Sequence, residues 1–187
     1  MKIRIKSNVI SVGVAALFCV AAIPATSAPV PQYQIFDIGV VLAGDEFSQG
    51  FGVSPGGIAV GRSLNNTGSE AFSWTLNGGI VGLPNLAGRS FAVSNSANDS
   101  GIIVGTAATT AFGSGRLPVV WQNGVVSQLP LPPAETLGDA NSVNSSNVAV
   151  GSVDGGSNQR GAIYSGGTGT IRPTPATSNL RTARVQF

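Results

Sequence analysis

Apolar residues along the chain gather in short β-branched runs closed by glycine. Ile58-Ala59-Val60 ends at Gly61, Ile102-Ile103-Val104 at Gly105 and Val148-Ala149-Val150 at Gly151. Runs of this kind read as short buried strands. Turn chemistry stands before each: Ser54-Pro55-Gly56-Gly57, Asn98-Asp99-Ser100-Gly101 and Asn144-Ser145-Ser146-Asn147. Gly and Asn supply positive φ there, while Asn and Ser bond locally to backbone. Small residues precede Val53, Ala97 and Val143, which lets a strand lie close to its neighbours. A second motif follows each run. Ala71-Phe72-Ser73-Trp74 leads to Asn77-Gly78, Pro118-Val119-Val120-Trp121 to Asn123-Gly124, and Gly161-Ala162-Ile163-Tyr164 to Gly166-Gly167. Asn-Gly between apolar runs predicts a hairpin. The last strand of each unit is Ile80-Val81-Gly82-Leu83, then Val125-Val126-Ser127-Gln128-Leu129, then a degraded Thr170-Ile171-Arg172-Pro173.

The closing glycines stand 44 and then 46 residues apart. The unit is therefore about 45 residues with four strands, the size of a β-propeller blade. The expected fold is all-β, propeller-like, with three blades over about 44–87, 88–134 and 135–171. Blades must stack to bury both faces, and closed propellers have at least about four. Residues 33–39, Tyr33-Gln34-Ile35-Phe36-Asp37-Ile38-Gly39, are a candidate closing strand for the third unit. The alternatives are an open array, a homo-oligomer that closes the ring, or a truncated product. Residues 172–187, with Pro173 and Pro175 and few large apolar side chains, read as a flexible tail.

Residues 1–28 read as a signal peptide. Lys2, Arg4 and Lys6 precede an apolar run from Val9 to Ile23, followed by Pro24 and the small residues Ala25-Thr26-Ser27-Ala28. That run is short of the roughly 20 residues a membrane span needs. Cleavage is expected near Ser27-Ala28, giving a secreted or periplasmic protein with no membrane span once the leader is removed. The repeats then occupy residues 29–171.

The leader changes the charge balance. The whole chain has Lys+Arg 10 and Asp+Glu 8, but without Lys2, Arg4 and Lys6 it has 7 Arg, no Lys and a net charge of −1. A nucleic-acid partner, which wants a basic face, is not expected. The only cysteine, Cys19, lies in the leader, so packing alone must hold the exported fold. There is no histidine. Ser-His-Asp and Cys-His mechanisms are thereby excluded, and the commonest metal ligand is missing.

Tyr33-x-x-x-Asp37-Ile38-Gly39, the repeated element that ends at Val60-Gly61, Val104-Gly105 and Val150-Gly151, and Ala71-Phe72-x-Trp74 before Asn77-Gly78 resemble the bacterial extracellular HAF-repeat proteins. The likeness covers about residues 33–171. Glu70 stands where the family name implies histidine, and the copy number is low. The resemblance implies an exported repeat protein and carries no activity or catalytic residues.

The sequence thus predicts a non-catalytic protein, without cofactor or metal, in a structural or interaction role at or outside the cell envelope. The alternative is a carbohydrate- or surface-binding module, its partner a glycan or another protein surface. Trp74, Trp121 and Tyr164 are its candidate contacts, against the plainer expectation that they cover the core between units. A third class is a hydrolase using Asp45, Glu46 or Asp139, which needs two carboxylates in one pocket. Asn98-Asp99-Ser100-Gly101 and Asp154-Gly155-Gly156-Ser157-Asn158 have the oxygen-rich composition of a calcium loop but not its spacing, and read as turns. Glu135 and Asp139 are candidate partners for Arg160.

Overall fold

A computed structural model describes residues 32–111, 113–155, 159–165 and 172–173. The leader 1–28, Gly156-Ser157-Asn158, Gly166-Gly167 and the tail from residue 174 lie outside the described residues. The chain divides into two units, 1–35 and 36–187. In the first, residues 32–35 carry no strand.

The second unit is all-β. The strands are β1 (Phe47–Val53), β2 (Ala59–Leu64), β3 (Ser69–Thr75), β4 (Gly79–Gly82), β5 (Phe91–Ala97), β6 (Ile103–Ala108), β7 (Leu117–Gln122), β8 (Val125–Gln128), β9 (Leu137–Val143), β10 (Ala149–Asp154), β11 (Gln159–Ser165) and β12 (Arg172–Pro173). Pairing is antiparallel between neighbours within each set of four, β1–β4, β5–β8 and β9–β12. The first two meanders join into one sheet through a single parallel pair, Ser69 with Phe91. The third forms a second sheet, and neither sheet closes on itself.

The same local chemistry recurs in each meander. The first turn closes with the N–H of Ser54, Asn98 or Asn144 donating to the carbonyl of Ile58, Ile102 or Val148, whose own N–H returns to the side-chain oxygen. Its left-handed position is Gly57, Gly101 or Asn147. Before it, the first strand bulges at Phe51, Asn95 or Asn141, each skipped in the register. The bulge presses the carbonyl of Gln49, Val93 or Asp139 onto Gly61, Gly105 or Gly151, so closely that a Cβ there would overlap the oxygen. This is why the closing glycine of the repeat is a glycine. The hairpins differ. Asn123-Gly124 forms a two-residue loop with both residues at positive φ, the geometry that matches strand twist. Thr75 instead pairs with Gly79, so the expected Asn77-Gly78 turn is a three-residue loop with Gly79 in the left-handed region.

The core lies between meanders. Val60, Ala71 and Leu83 of the first pack against Ala97, Ile103, Ala107, Val119 and Trp121 of the second. Ile102, Val104 and Leu129 of the second pack against Val143, Ala149, Val153, Ala162 and Tyr164 of the third. Each fully buried side chain of this size stabilises by roughly 1.5–3 kcal/mol. No meander could bury both of its faces alone.

The place beside β11 that residues 33–39 were expected to fill is taken by β12, with Tyr164 opposite Pro173. Residues 36–39 pair with no strand, and Phe36 instead sets its ring 6.2 Å from that of Trp74 in the first meander. Arg172–Pro173 forms the short strand β12, and the rest of the expected tail lies outside the described residues.

Candidate functional site

A cleft of about 280 Å³ gathers polar side chains from several strands. β2 brings Arg62, β5 brings Phe91 and Asn95, β6 brings Thr106, and β9 brings Asp139 and Asn141. The bulges at Asn95 and Asn141 set two amides on its wall. At the equivalent bulge of the first meander stands Phe51, whose ring lies under the Arg62 guanidinium at 5.7 Å.

The charges in the cleft are already engaged. Arg62 donates from Nε and Nη2 to Gln49 Oε1, at 3.0 and 2.8 Å. Asp139 accepts from Arg116 Nε at 2.9 Å, Thr106 Oγ1 at 3.1 Å and Ser152 Oγ at 3.1 Å. Asn95 donates to the Ala140 carbonyl at 2.9 Å. The hydroxyl of Ser69 donates to the Ala92 carbonyl and accepts from its N–H. Thr106 is the one hydroxyl of this cleft bonded to a carboxylate here, and that carboxylate is also held by Arg116 and Ser152. The arrangement suits weak capture of a small polar group.

A smaller opening of about 150 Å³ holds Asp45 and Glu70 with Asn65. Asp45 accepts from Ser63 Oγ at 2.6 Å, Asn65 Nδ2 at 2.9 Å and the Leu42 N–H at 3.1 Å. Desolvation pushes its carboxyl up, but these bonds together outweigh it and hold the pKa below the ordinary value. A carboxylate held this way is a poor proton donor at neutral pH and a weak base. Glu46 is exposed and accepts from Asn66 Nδ2 at 2.6 Å. Neither opening brings Asp45 or Glu46 together with Asp139.

The three repeated aromatics part company. Trp121 and Tyr164 are buried in the two cores. Trp121 donates Nε1–H to the Pro84 carbonyl at 2.8 Å. The Tyr164 hydroxyl is buried without a hydrogen-bond partner, and burial with the nearby Asp139 charge pushes its pKa up to about 12. Trp74 is half-buried beside Phe36. Of the three, only that ring is partly exposed.

The oxygen-rich turn Asn98-Asp99-Ser100-Gly101 faces both neighbouring meanders, while most of residues 154–158 lies outside the described residues. Asp99 accepts the Gly56 N–H at 2.7 Å, which ties the second meander's turn to the first's. With a bond from Ser54, this holds its pKa below the ordinary value. Asn98 donates from Nδ2 to Asn144 O at 2.8 Å and Asn147 Oδ1 at 2.7 Å, which ties it to the third. Among the described residues no group of three or more His, Cys, Asp or Glu converges to hold a metal ion. Of the candidate partners, Glu135 takes Arg160, while Asp139 takes Arg116. Glu135 Oε2 stays buried without a hydrogen-bond partner.

Two residues carry more of the structure than the sequence indicated. Arg116, in the approach to β7, bridges Asp139 and, at 3.4 Å, Asp154. Ser94 accepts the Gly61 N–H and shares its single hydroxyl proton between the Gly61 and Phe72 carbonyls, all within 2.9 Å, and so stitches the first meander to the second. Among the described residues no helix is long and apolar enough to cross a membrane. No family model, curated protein or solved structure matches this chain.

Proposed function

We propose that this chain is an exported, non-catalytic repeat protein of the HAF-repeat kind. Its three meanders would act as propeller-like blades in a structural or interaction role at or outside the cell envelope. The observation that carries this is the repetition of one junction. A valine face of one meander meets a small-residue and aromatic face of the next, twice, with turn-to-turn hydrogen bonds at each. Polar side chains are engaged in holding meanders together, Asp139 by Arg116 and Ser94 by Gly61 among them. The leader pattern of residues 1–28 supports export.

Fractionating cells that express the full chain, with a mass measurement of its N-terminus, tests the reading. A product in the periplasm or medium that starts near Ser27-Ala28 is expected. A full-length chain retained in the cytoplasm, or turnover of ester, glycan or peptide substrates, would refute it. A second reading, glycan capture, is favoured by one observation: Phe91, Asn95, Asn141 and Thr106 share the 280 Å³ cleft. Small-molecule sites typically pair an apolar wall with a few placed polar groups. Saccharide titration followed by NMR shifts of those residues decides it, and no shift at millimolar sugar would remove it.

A further inference from the structure

The large apolar side chains left exposed are unevenly placed. Among the described residues of the three meanders, the middle one exposes only Val125 in this way, while the first exposes Phe47, Phe51, Val53, Leu76 and Val81 and the third Val150 and Ile163. Single repeat positions show the reason. Val53, Ala97 and Val143 are equivalent, yet Val53 is 69% exposed where Ala97 is 5% and Val143 8%. Val60, Val104 and Val150 are equivalent on the opposite face, yet Val150 is 44% exposed where the other two are fully buried. Ile163, paired with Val150 on that face, is 48% exposed.

These are the two halves of one junction. Val60 packs in one cluster with Ala97, and Val104 in the next with Val143. Val150 offers a third copy of the first half, and Val53 a third copy of the second. The polar part of the junction is also left over. Asn98 accepts the Ser100 and Ile102 N–H groups on Oδ1 and gives its Nδ2 protons to the following meander. Asn144 accepts the Ser146 and Val148 N–H groups in the same way, but is exposed.

We propose that a second copy of this chain docks head to tail. The Val150–Ile163 face of each copy seats on the Val53–Trp74 end of the other, and the pair closes a ring of six meanders. The proposal rests on the propeller-like reading above. Closed propellers typically have about four to eight blades, so two copies of three reach a size that closes. A head-to-tail contact makes a finite ring when its rotation closes. In the closed pair Asn144 gives the Ser54 carbonyl of the other copy the bond that Asn98 gives Asn144.

The test is the solution mass of the full chain as cells produce it, by sedimentation and light scattering, with three variants checked for an unchanged far-UV spectrum. Twice the chain mass is expected for the wild type and for Val125→Asp. Val53→Asp and Ile163→Asp are each expected to fall to monomer, and an equimolar mixture of those two to recover dimer through its one intact junction. A monomeric wild type would overturn the proposal, since the chain's own segments would then cover the faces. So would a dimer that survives Val53→Asp but not Ile163→Asp, which signals tail-to-tail contact, or a polymer without a closed size. The mass does not depend on where the cell puts the chain. A monomer found outside the cytoplasm sinks the docking alone, and a cytoplasmic dimer sinks only the export reading.

Discussion

Replacing Trp121 by alanine probes the junction between the first two meanders directly. The indole is buried in the core between them, against Val60 and Leu83 of one and Ile103 of the other. Removing a buried Trp side chain typically costs about 3–5 kcal/mol in lost burial and cavity. The Pro84 carbonyl loses its donor, worth about another 1 kcal/mol. Against a typical domain stability of about 5–15 kcal/mol, that is a third or more of the total. With a urea dependence near 2 kcal/mol per molar, the unfolding midpoint falls by about 2 M. Far-UV circular dichroism in urea reads it. Trp74→Ala is the internal control, because Trp74 has the same place in its own meander but is half-buried, with only the Phe36 ring across it at 6.2 Å. It loses about half the burial, and a shift of about 1 M or less is expected. Equal shifts for the two variants, or a Trp121→Ala shift below about 0.5 M, would show that the core does not lie between meanders.

Gly105→Ala drives a Cβ into the Val93 carbonyl, and a loss of at least about 2 kcal/mol is expected, whereas Gly161→Ala enters open space and should stay within about 0.5 kcal/mol; thermal melts of both compare them. Tyr164→Phe removes a buried hydroxyl that has no partner, so it should be neutral or stabilising by up to about 1 kcal/mol at pH 7. The wild type should lose stability as pH rises from 10 towards about 12, because folding raises the pKa of Tyr164 and ionisation of the unfolded chain then favours unfolding. Urea midpoints across that range should fall less steeply in Tyr164→Phe. Asp99 has the opposite sign: its pKa is lowered in the fold from 3.8, so its contribution is present above that value and fades as pH falls through the folded pKa. Asp99→Asn should flatten the acid limb of the stability profile, and an acid limb identical to wild type would break the link.

The strand pattern was legible because each run was punctuated. Glycine closed it, and Ser, Asn or Gly opened it with turn chemistry that needs no tertiary partner. The hairpin at Asn77-Gly78 was legible as a hairpin but not in its loop length, which the register of Thr75 with Gly79 sets and not the dipeptide. The fate of residues 33–39 was not legible. An apolar segment beside a repeat can continue a sheet or lie across a face, and here Phe36 lies by Trp74 while β12 takes the place beside β11. The roles of Arg116 and Ser94 could not be read either. Arg116 stands in an irregular stretch with no pattern around it, and its partners Asp139 and Asp154 come from the following meander. Ser94 stood out only as a small residue in a place filled by Gly50 and Ala140 in the other units. Its hydroxyl gains meaning from carbonyls 22 and 33 residues earlier.

The turn-to-turn bonds from Asp99 to Gly56 and from Asn98 to Asn144 also bear on how such a chain can lengthen. The middle meander meets its neighbour's turn on both sides, through Asp99 towards the first meander and through Asn98 towards the third. A duplicated stretch of about 45 residues spliced between Gly82 and Phe91 would meet a familiar surface on both sides and bury both of its faces at once. A splice of half that length would bring a turn where a valine face is wanted and leave two junctions broken. Viable changes of length in this architecture therefore come in whole meanders, and a gene that encodes it would grow or shrink in steps of that size.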